Sequence, residues 1–213
     1  MMKKIAMFGG TFNPIHNGHI KLALYAAAQL ELDKVLLIPT NIPPHKRYEE
    51  ETTPRQRWEM CVLAAEEYQK LQVSDLEIRR QGPSYTVDTL RQLRARIPDA
   101  QLYLITGADM FLTIQDWKNA QEIFRFAVVC GVPREKEGLQ ALQRQADFLK
   151  NQYSAQTALL DFPLIEISST QIRHRLKTGR SIEEWVPKNV ERYIRRHGLY
   201  GDTQDEKSSF HKL

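Results

Sequence analysis

Two imidazoles three residues apart, His16 and His19, follow the glycine turn Gly9-Gly10-Thr11 and stand just before the alanine-rich run from Ile20 to Leu30. Upstream, Lys4 to Phe8 is a short apolar run, so the glycines and histidines fall between the carboxyl end of a strand and the start of a helix. A helix start offers N–H groups without intrahelical partners and a partial positive charge, and two histidines at this spacing share one helix face. That combination suits an anion, above all a phosphate. A second junction, Ile167-Ser168-Ser169-Thr170-Gln171-Ile172-Arg173, carries Ser168 and Thr170 at another helix start, with the permanently charged Arg173 close behind. Hydroxyls, N–H groups and a guanidinium can together hold a polyphosphate; read alone, the same pattern is an N-cap with a solvated arginine.

Competing chemistries are less well served. The first segment lacks the G-x-G-x-x-G of a dinucleotide fold and the Gly-Lys-Ser/Thr end of a phosphate loop. A zinc site needs three or four ligands, and neither cysteine nor an acidic cluster accompanies the histidine pair, so no protein-bound metal is expected. Three further segments each admit a functional and a plain structural reading. Ile42-Pro43-Pro44-His45-Lys46 either delivers His45 and Lys46 to a phosphate or forms a solvated proline turn. Ser84-Tyr85-Thr86-Val87-Asp88 opens a helix with Ser84 or Thr86 as its cap. Thr106-Gly107-Ala108-Asp109 offers a carboxylate for ribose hydroxyls and Trp117 an indole for a stacked base; alternatively they are a capping Asp and a core Trp.

The elements that must position these groups follow from hydrophobic pattern. Lys4 to Phe8, Lys34 to Ile38, Gln72 to Ile78, Leu102 to Thr106, Phe126 to Val132 and Leu164 to Ile167 read as strands alternating with helical stretches. That alternation predicts an α/β protein with a Rossmann-like, doubly wound parallel sheet and helices on both faces. Pro39 to Pro54 is a polar, proline-broken loop suited to a lid, and Thr53-Pro54 then starts a helix expected to run through Leu71. A last helix is expected from about Pro187 to Gly198. Residues 1–200 read as one domain and 201–213 as a polar, disordered tail.

At 213 residues, 42% hydrophobic and 26% charged, the chain is long enough for one sizeable core. Its net charge of +4 suits small anions, but no basic run interleaved with aromatics points to nucleic acid. Cys61 and Cys130 are isolated, as expected of reduced, buried thiols. No apolar run reaches membrane-spanning length and the glycine turn leaves no room for a leader, so a cytoplasmic protein with no membrane partner is expected. A homo-oligomer is left open.

The segment Gly9-Gly10-Thr11-Phe12-Asn13-Pro14-Ile15-His16-Asn17-Gly18-His19 resembles the signature of the H-x-G-H nucleotidyltransferases. With Pro-Pro-His-Lys, Ser-Tyr-Thr, Gly-Ala-Asp, Trp117 and Ile-Ser-Ser-Thr-x-Ile-Arg following in order, nearly the whole chain to Tyr200 is similar to the bacterial nicotinate-nucleotide adenylyltransferases. The resemblance implies that ATP and nicotinate mononucleotide give nicotinate adenine dinucleotide and pyrophosphate, in NAD biosynthesis. It implies an ATP site made of Gly9, Gly10, Thr11, His16, His19, Gly107, Asp109, Ser168, Thr170 and Arg173. Thr11, His16 and His19 would surround the α-phosphate, Ser168, Thr170 and Arg173 the β- and γ-phosphates, and Gly107 and Asp109 the ribose. It further implies that His45, Lys46, Ser84, Tyr85, Thr86 and Trp117 meet the mononucleotide, Trp117 stacking on the pyridine. Two departures stand out: Asn13 replaces a commoner Asp, and Val132-Pro133-Arg134 lacks the arginine that some members carry before this proline, which leaves open whether Arg134 reaches ATP.

Among relatives, pantetheine-phosphate adenylyltransferases are shorter and carry threonine at the position of His16, and cytidylyltransferases have Thr-Glu-Gly before the late hydroxyls. A non-catalytic nucleotide sensor or RNA-binding module would not need His16, His19, Ser168 and Arg173 together. The chemistry itself needs no general base, because a phosphate monoester with a second pKa of about 6 is already mostly dianionic near neutrality. The site must supply alignment and positive charge, from histidines, arginine and backbone amides. Mg²⁺ would be bound mainly through the ATP phosphates. The helix opening at Ser84-Tyr85-Thr86 predicts a preference for the nicotinate acid over the amide, with Asp88 opposing it unless it faces outward.

Overall fold

The computed structural model describes residues 2–43, 52–133, 138–163 and 165–201. β1 (Lys4–Gly10) is apolar on both sides of its pleat, as a strand covered on two faces must be. Ala6 and Phe8 join one hydrophobic core, Ile5 and Met7 a second. Parallel pairing extends on one side to β2 (Lys34–Pro39) and β3 (Leu71–Val73), and on the other to β4 (Gln101–Gly107), β5 (Ala127–Val132) and β6 (Thr157–Leu159). The order is β3-β2-β1-β4-β5-β6. α1 (Asn17–Gln29), α2 (Pro54–Ala65), α7 (Ser169–Lys177) and α8 (Lys188–Arg196) bury their apolar residues in the first core. α3 (Thr86–Arg96), α4 (Ala108–Leu112), α5 (Ala120–Phe126) and α6 (Gly138–Tyr153) fill the second. The chain thus forms the expected parallel α/β sheet with helices on both faces.

Strand order reverses between β1 and β4, so their outgoing connections diverge and leave a crevice at the carboxyl ends, where Gly9, Gly10, Thr11 and Gly107 stand. Gly131 helps to set that crevice. A Cβ there would come within 2.9 Å of the fully buried Phe111 ring, so its absence lets α4 lie against β5. The N-cap of α2 is as expected: Thr53 Oγ1 accepts from the N–H of Gln56 at 3.2 Å, and Gln56 Oε1 accepts from the N–H of Thr53 at 2.9 Å.

Four boundaries differ from expectation. The third strand ends at Val73 instead of continuing to Ile78, because Ser74 and Asp75 turn the chain, Asp75 accepting from the N–H of Arg79. The helix from Pro54 stops at Ala65, not Leu71, since the chain must turn at Tyr68 for Leu71 to pair beside Val35. Residues 165–167 form no strand; the N–H of Ile167 turns back to the Ile165 carbonyl, and the sixth strand lies earlier, with Thr157 opposite Val129. The last helix runs from Lys188 to Arg196, and Gly198 adopts the expected left-handed φ of +55°. Residues 202–213, and His45, Lys46 and Arg134, lie outside the described residues. Among the described residues no helix is long and apolar enough to cross a membrane.

Candidate active site

The crevice holds two cavities that share Phe8, Thr11, Gly107 and Met110. The larger, about 660 Å³, is lined by His16, His19, Ser168, Thr170 and Arg173, which brings the early and late phosphate-type segments to one space. The histidine rings stack with centroids 3.6 Å apart. The backbone N–H of His16 donates to Nδ1 of His19 at 3.3 Å, which places the proton of a neutral His19 on Nε2. Phe12 meets the His19 ring edge-on at 5.0 Å, and a Cβ at Gly18 would sit 3.1 Å from the His16 ring, so both imidazoles are tightly housed.

That housing changes their charge. Burial lowers the pKa of His16 to about 4, and burial together with the charge of His16 holds His19 well below the usual range. Near neutrality the free imidazoles are therefore uncharged N–H donors, so the positive charge expected partly of them comes from Arg173, the group expected to carry a fixed one. The helix start is also less open than expected. The N–H of Asn17 is taken by the Trp185 carbonyl at 2.9 Å and that of His19 by the His16 carbonyl. Nδ1 of His16 is buried with no hydrogen-bond partner among the described residues.

At the second junction Ser168 caps α7, its Oγ accepting from the N–H of Gln171 at 3.2 Å while the Gln171 side chain accepts from the N–H of Ser168. Ser169 Oγ donates to the Pro14 carbonyl at 2.8 Å and Arg173 Nη1 to the Asn13 carbonyl at 2.7 Å, so α7 is pinned to the loop carrying His16. Asn13, the departure from the commoner Asp, is a buried hub. Its Oδ1 accepts from Thr52 Oγ1 at 2.6 Å and from Tyr200 Oη at 2.5 Å. An amide oxygen serves both donors, so the lost charge does not cost the loop its anchors.

The smaller cavity, about 340 Å³, is lined by Gly9, Gly10, Ser84, Tyr85, Thr86 and Trp117, among others. Gly9 and Gly10, assigned with ATP on sequence, thus face this cavity, and Thr11 faces both. Gly107 also borders both, while Asp109 is exposed on the first turn of α4. Trp117 is half-buried, packed on the second core and bordering the cavity, so its two readings are compatible. Neither Ser84 nor Thr86 caps α3. The N-cap is Tyr85, whose side chain makes no capping bond, and Ser84 instead meets the N–H of Asn41 at 3.2 Å. The start of α3 is left without a side-chain cap, beside a cavity. Asp88 is occupied: Arg91 donates to it at 2.7 Å and Lys118 stands 3.9 Å away.

Sequence reasoning passed over Arg57, Glu77 and Lys118. Arg57, only 3% exposed, donates to the carbonyls of Thr11 at 2.8 Å and Asn41 at 3.2 Å, tying the glycine turn to the chain after β2. The signal was there, since Arg57 shares a helix face with Met60, Cys61 and Ala64. Glu77 lines the smaller cavity and is buried; a carboxylate flanked by Leu76 and Ile78 is the comparable, weaker sign. Lys118 borders the same cavity with its Nζ 4.0 Å over the Tyr85 ring, and nothing in its sequence context marks it. Cys61 and Cys130 are buried free thiols whose pKa values burial pushes up.

Residues 7–175 match the cytidylyltransferase-like family. The chain is 37% identical over 199 residues to a probable nicotinate-nucleotide adenylyltransferase of Clostridium tetani, covering 93% of this chain and 100% of that protein. It is 42% identical over 203 residues to one of Desulfitobacterium hafniense, covering 93% and 96%. Its fold is similar to that of the Plasmodium falciparum nicotinic acid mononucleotide adenylyltransferase complexed with NaAD, at a TM-score of 0.74 and 18% identity over 94% of this chain and 98% of the other. The chain belongs to the cytidylyltransferase-like family, among its nicotinate-nucleotide adenylyltransferases.

Proposed function

We infer that the chain transfers the adenylyl group of ATP to nicotinate mononucleotide, giving nicotinate adenine dinucleotide and pyrophosphate in NAD biosynthesis. The observation that carries this reading is the pair of cavities meeting at Thr11 and Gly107: one furnished for phosphates, the other with an indole and an uncapped helix start. The names of the bacterial relatives support it. Residues 1–200 would act as one nucleotidyltransferase unit.

The triphosphate lies in the larger cavity. Ser168, Thr170 and Arg173 hold the departing β- and γ-phosphates, and His16 and His19 donate N–H bonds to the α-phosphate oxygens, which become more crowded and more negative on attack. Neutral imidazoles suit this task, and the substrate's own charge raises their pKa once it is bound. The mononucleotide occupies the smaller cavity with its pyridine against Trp117 and its carboxylate toward the first turn of α3. Its 5′-phosphate attacks the α-phosphorus beside Thr11, opposite the leaving pyrophosphate, with no base required. Gly9 and Gly10 let the backbone approach this point, Asp109 contacts the adenosine ribose, and His45 and Lys46, outside the described residues, would add phosphate contacts. Among the described residues no group of three or more His, Cys, Asp or Glu could hold a metal ion. Mg²⁺ enters with ATP as part of the substrate.

Pyrophosphate release with ATP and nicotinate mononucleotide, and identification of the dinucleotide formed, tests the reading. Release without a mononucleotide, or no release with nicotinate mononucleotide present, contradicts it.

A further inference from the structure

Behind the smaller cavity lies a charged pair that the mechanism does not use. Glu77 lines the cavity and is 3% exposed. Its Oε1 accepts from the Thr89 hydroxyl at 2.7 Å, and the hydroxyls of Ser84 and Thr40 also hydrogen-bond to its carboxylate. Arg80 Nη2 donates to the same Thr89 hydroxyl at 2.9 Å and stands 3.9 Å from Glu77 Oε1. The guanidinium is not used up by these contacts: its Nε and Nη1 are buried with no hydrogen-bond partner among the described residues.

Resting on the reading of this cavity as the mononucleotide site, we propose that the Glu77–Arg80 pair sets the charge balance of the pyridine-binding wall and so discriminates nicotinate from nicotinamide mononucleotide. The two substrates differ by one negative charge on the ring substituent. In a confined, water-poor cavity a bare carboxylate in the wall repels the acid and leaves the neutral amide almost untouched, whereas a paired carboxylate leaves the N–H groups of α3 to attract the acid. Burial raises the pKa of Glu77, while the three hydroxyls and Arg80 pull it back. The carboxylate's hydrogen-bond partners are the hydroxyls of Thr89, Ser84 and Thr40, with the Arg80 guanidinium beside them, an arrangement suited to holding an anion in place. Glu77 borders the substrate directly; Arg80 acts through Glu77 and Thr89 and is a positioning residue.

The readout is the ratio of kcat/KM for nicotinate over nicotinamide mononucleotide at pH 8, alongside the KM for ATP. Glu77→Gln keeps the side-chain shape and leaves Arg80 charged, so the ratio rises about fivefold or more. Arg80→Gln exposes the carboxylate and lowers the ratio about tenfold, whereas Arg80→Lys keeps the charge and keeps the ratio within about twofold of wild type. The double variant Glu77→Gln/Arg80→Gln returns toward the wild-type ratio, and the KM for ATP stays near wild type throughout. A purely structural role would lower both efficiencies together and leave the ratio unchanged, and that result overturns the proposal. If the arginine variants do not fold, Glu77→Gln alone decides it by the same ratio. A wild-type enzyme active on neither mononucleotide would instead refute the assignment of the reaction, a separate failure.

Discussion

The two cavities meet at Thr11 yet solve opposite problems. The larger one gathers N–H donors, hydroxyls and a guanidinium, and its imidazoles are neutral because they are buried. The smaller one is lined mostly by apolar side chains, with an indole, an uncapped helix start and a buried glutamate backed by Arg80. On the proposed reading, phosphate handling would rest on local motifs at two chain junctions, whereas ring recognition would be assembled from groups far apart in sequence. Selectivity and turnover are therefore separable by mutation.

The largest effect is expected at the junction of the cavities. His16→Ala and His19→Ala should each lower kcat about a hundredfold or more, as the loss of a transition-state hydrogen-bond donor does. Steady-state kinetics on folded variants check this, and near wild-type turnover in either would remove that histidine from the chemistry.

Burial of the histidines also marks the larger cavity as the acid-sensitive one. The folded-state pKa of His16 lies below its unfolded value of 6.5, so the unfolded chain takes up the proton first. Stability linked to this group is complete above pH 6.5 and is lost as pH falls to about 4, a loss on the order of 3 kcal/mol. Urea unfolding across this window should show wild type losing stability more steeply than His16→Asn; parallel curves would argue against a buried neutral imidazole.

Ring recognition should give a smaller but cleaner signal. An anion at the uncapped start of α3 gains up to about 2 kcal/mol, and Asp88 is already engaged by Arg91, so nicotinate mononucleotide should be preferred over the amide at least about tenfold in kcat/KM. Equal efficiencies would show that α3 does not read the carboxylate.

Much of this division could be read from the chain before its structure. Glycine turns, hydroxyl-rich helix starts and the strand–helix alternation are local signals, and they located β1, β2, β4 and β5, the parallel sheet and both phosphate-type segments. What escaped was set by distant partners. Of the strand expected at Leu164 to Ile167, residues 165–167 form none, because β5 takes Thr157–Leu159 as its neighbour, a choice made by three-dimensional pairing. Asn13 looked like a turn residue with a missing charge, and only the fold brings Thr52 and Tyr200 to its oxygen. The histidines looked like sources of charge, since residue type does not reveal burial.

The separation of the cavities is tested most directly by measuring both Michaelis constants in Trp117→Ala and Arg173→Gln. Stacking a ring on an indole is worth about 1 to 3 kcal/mol, so Trp117→Ala should raise the KM for nicotinate mononucleotide about fivefold or more and barely move that for ATP. Arg173→Gln, which removes the fixed charge of the larger cavity, should raise the KM for ATP and spare the mononucleotide. If each variant raises both constants alike, the two cavities are not two subsites and the account is wrong.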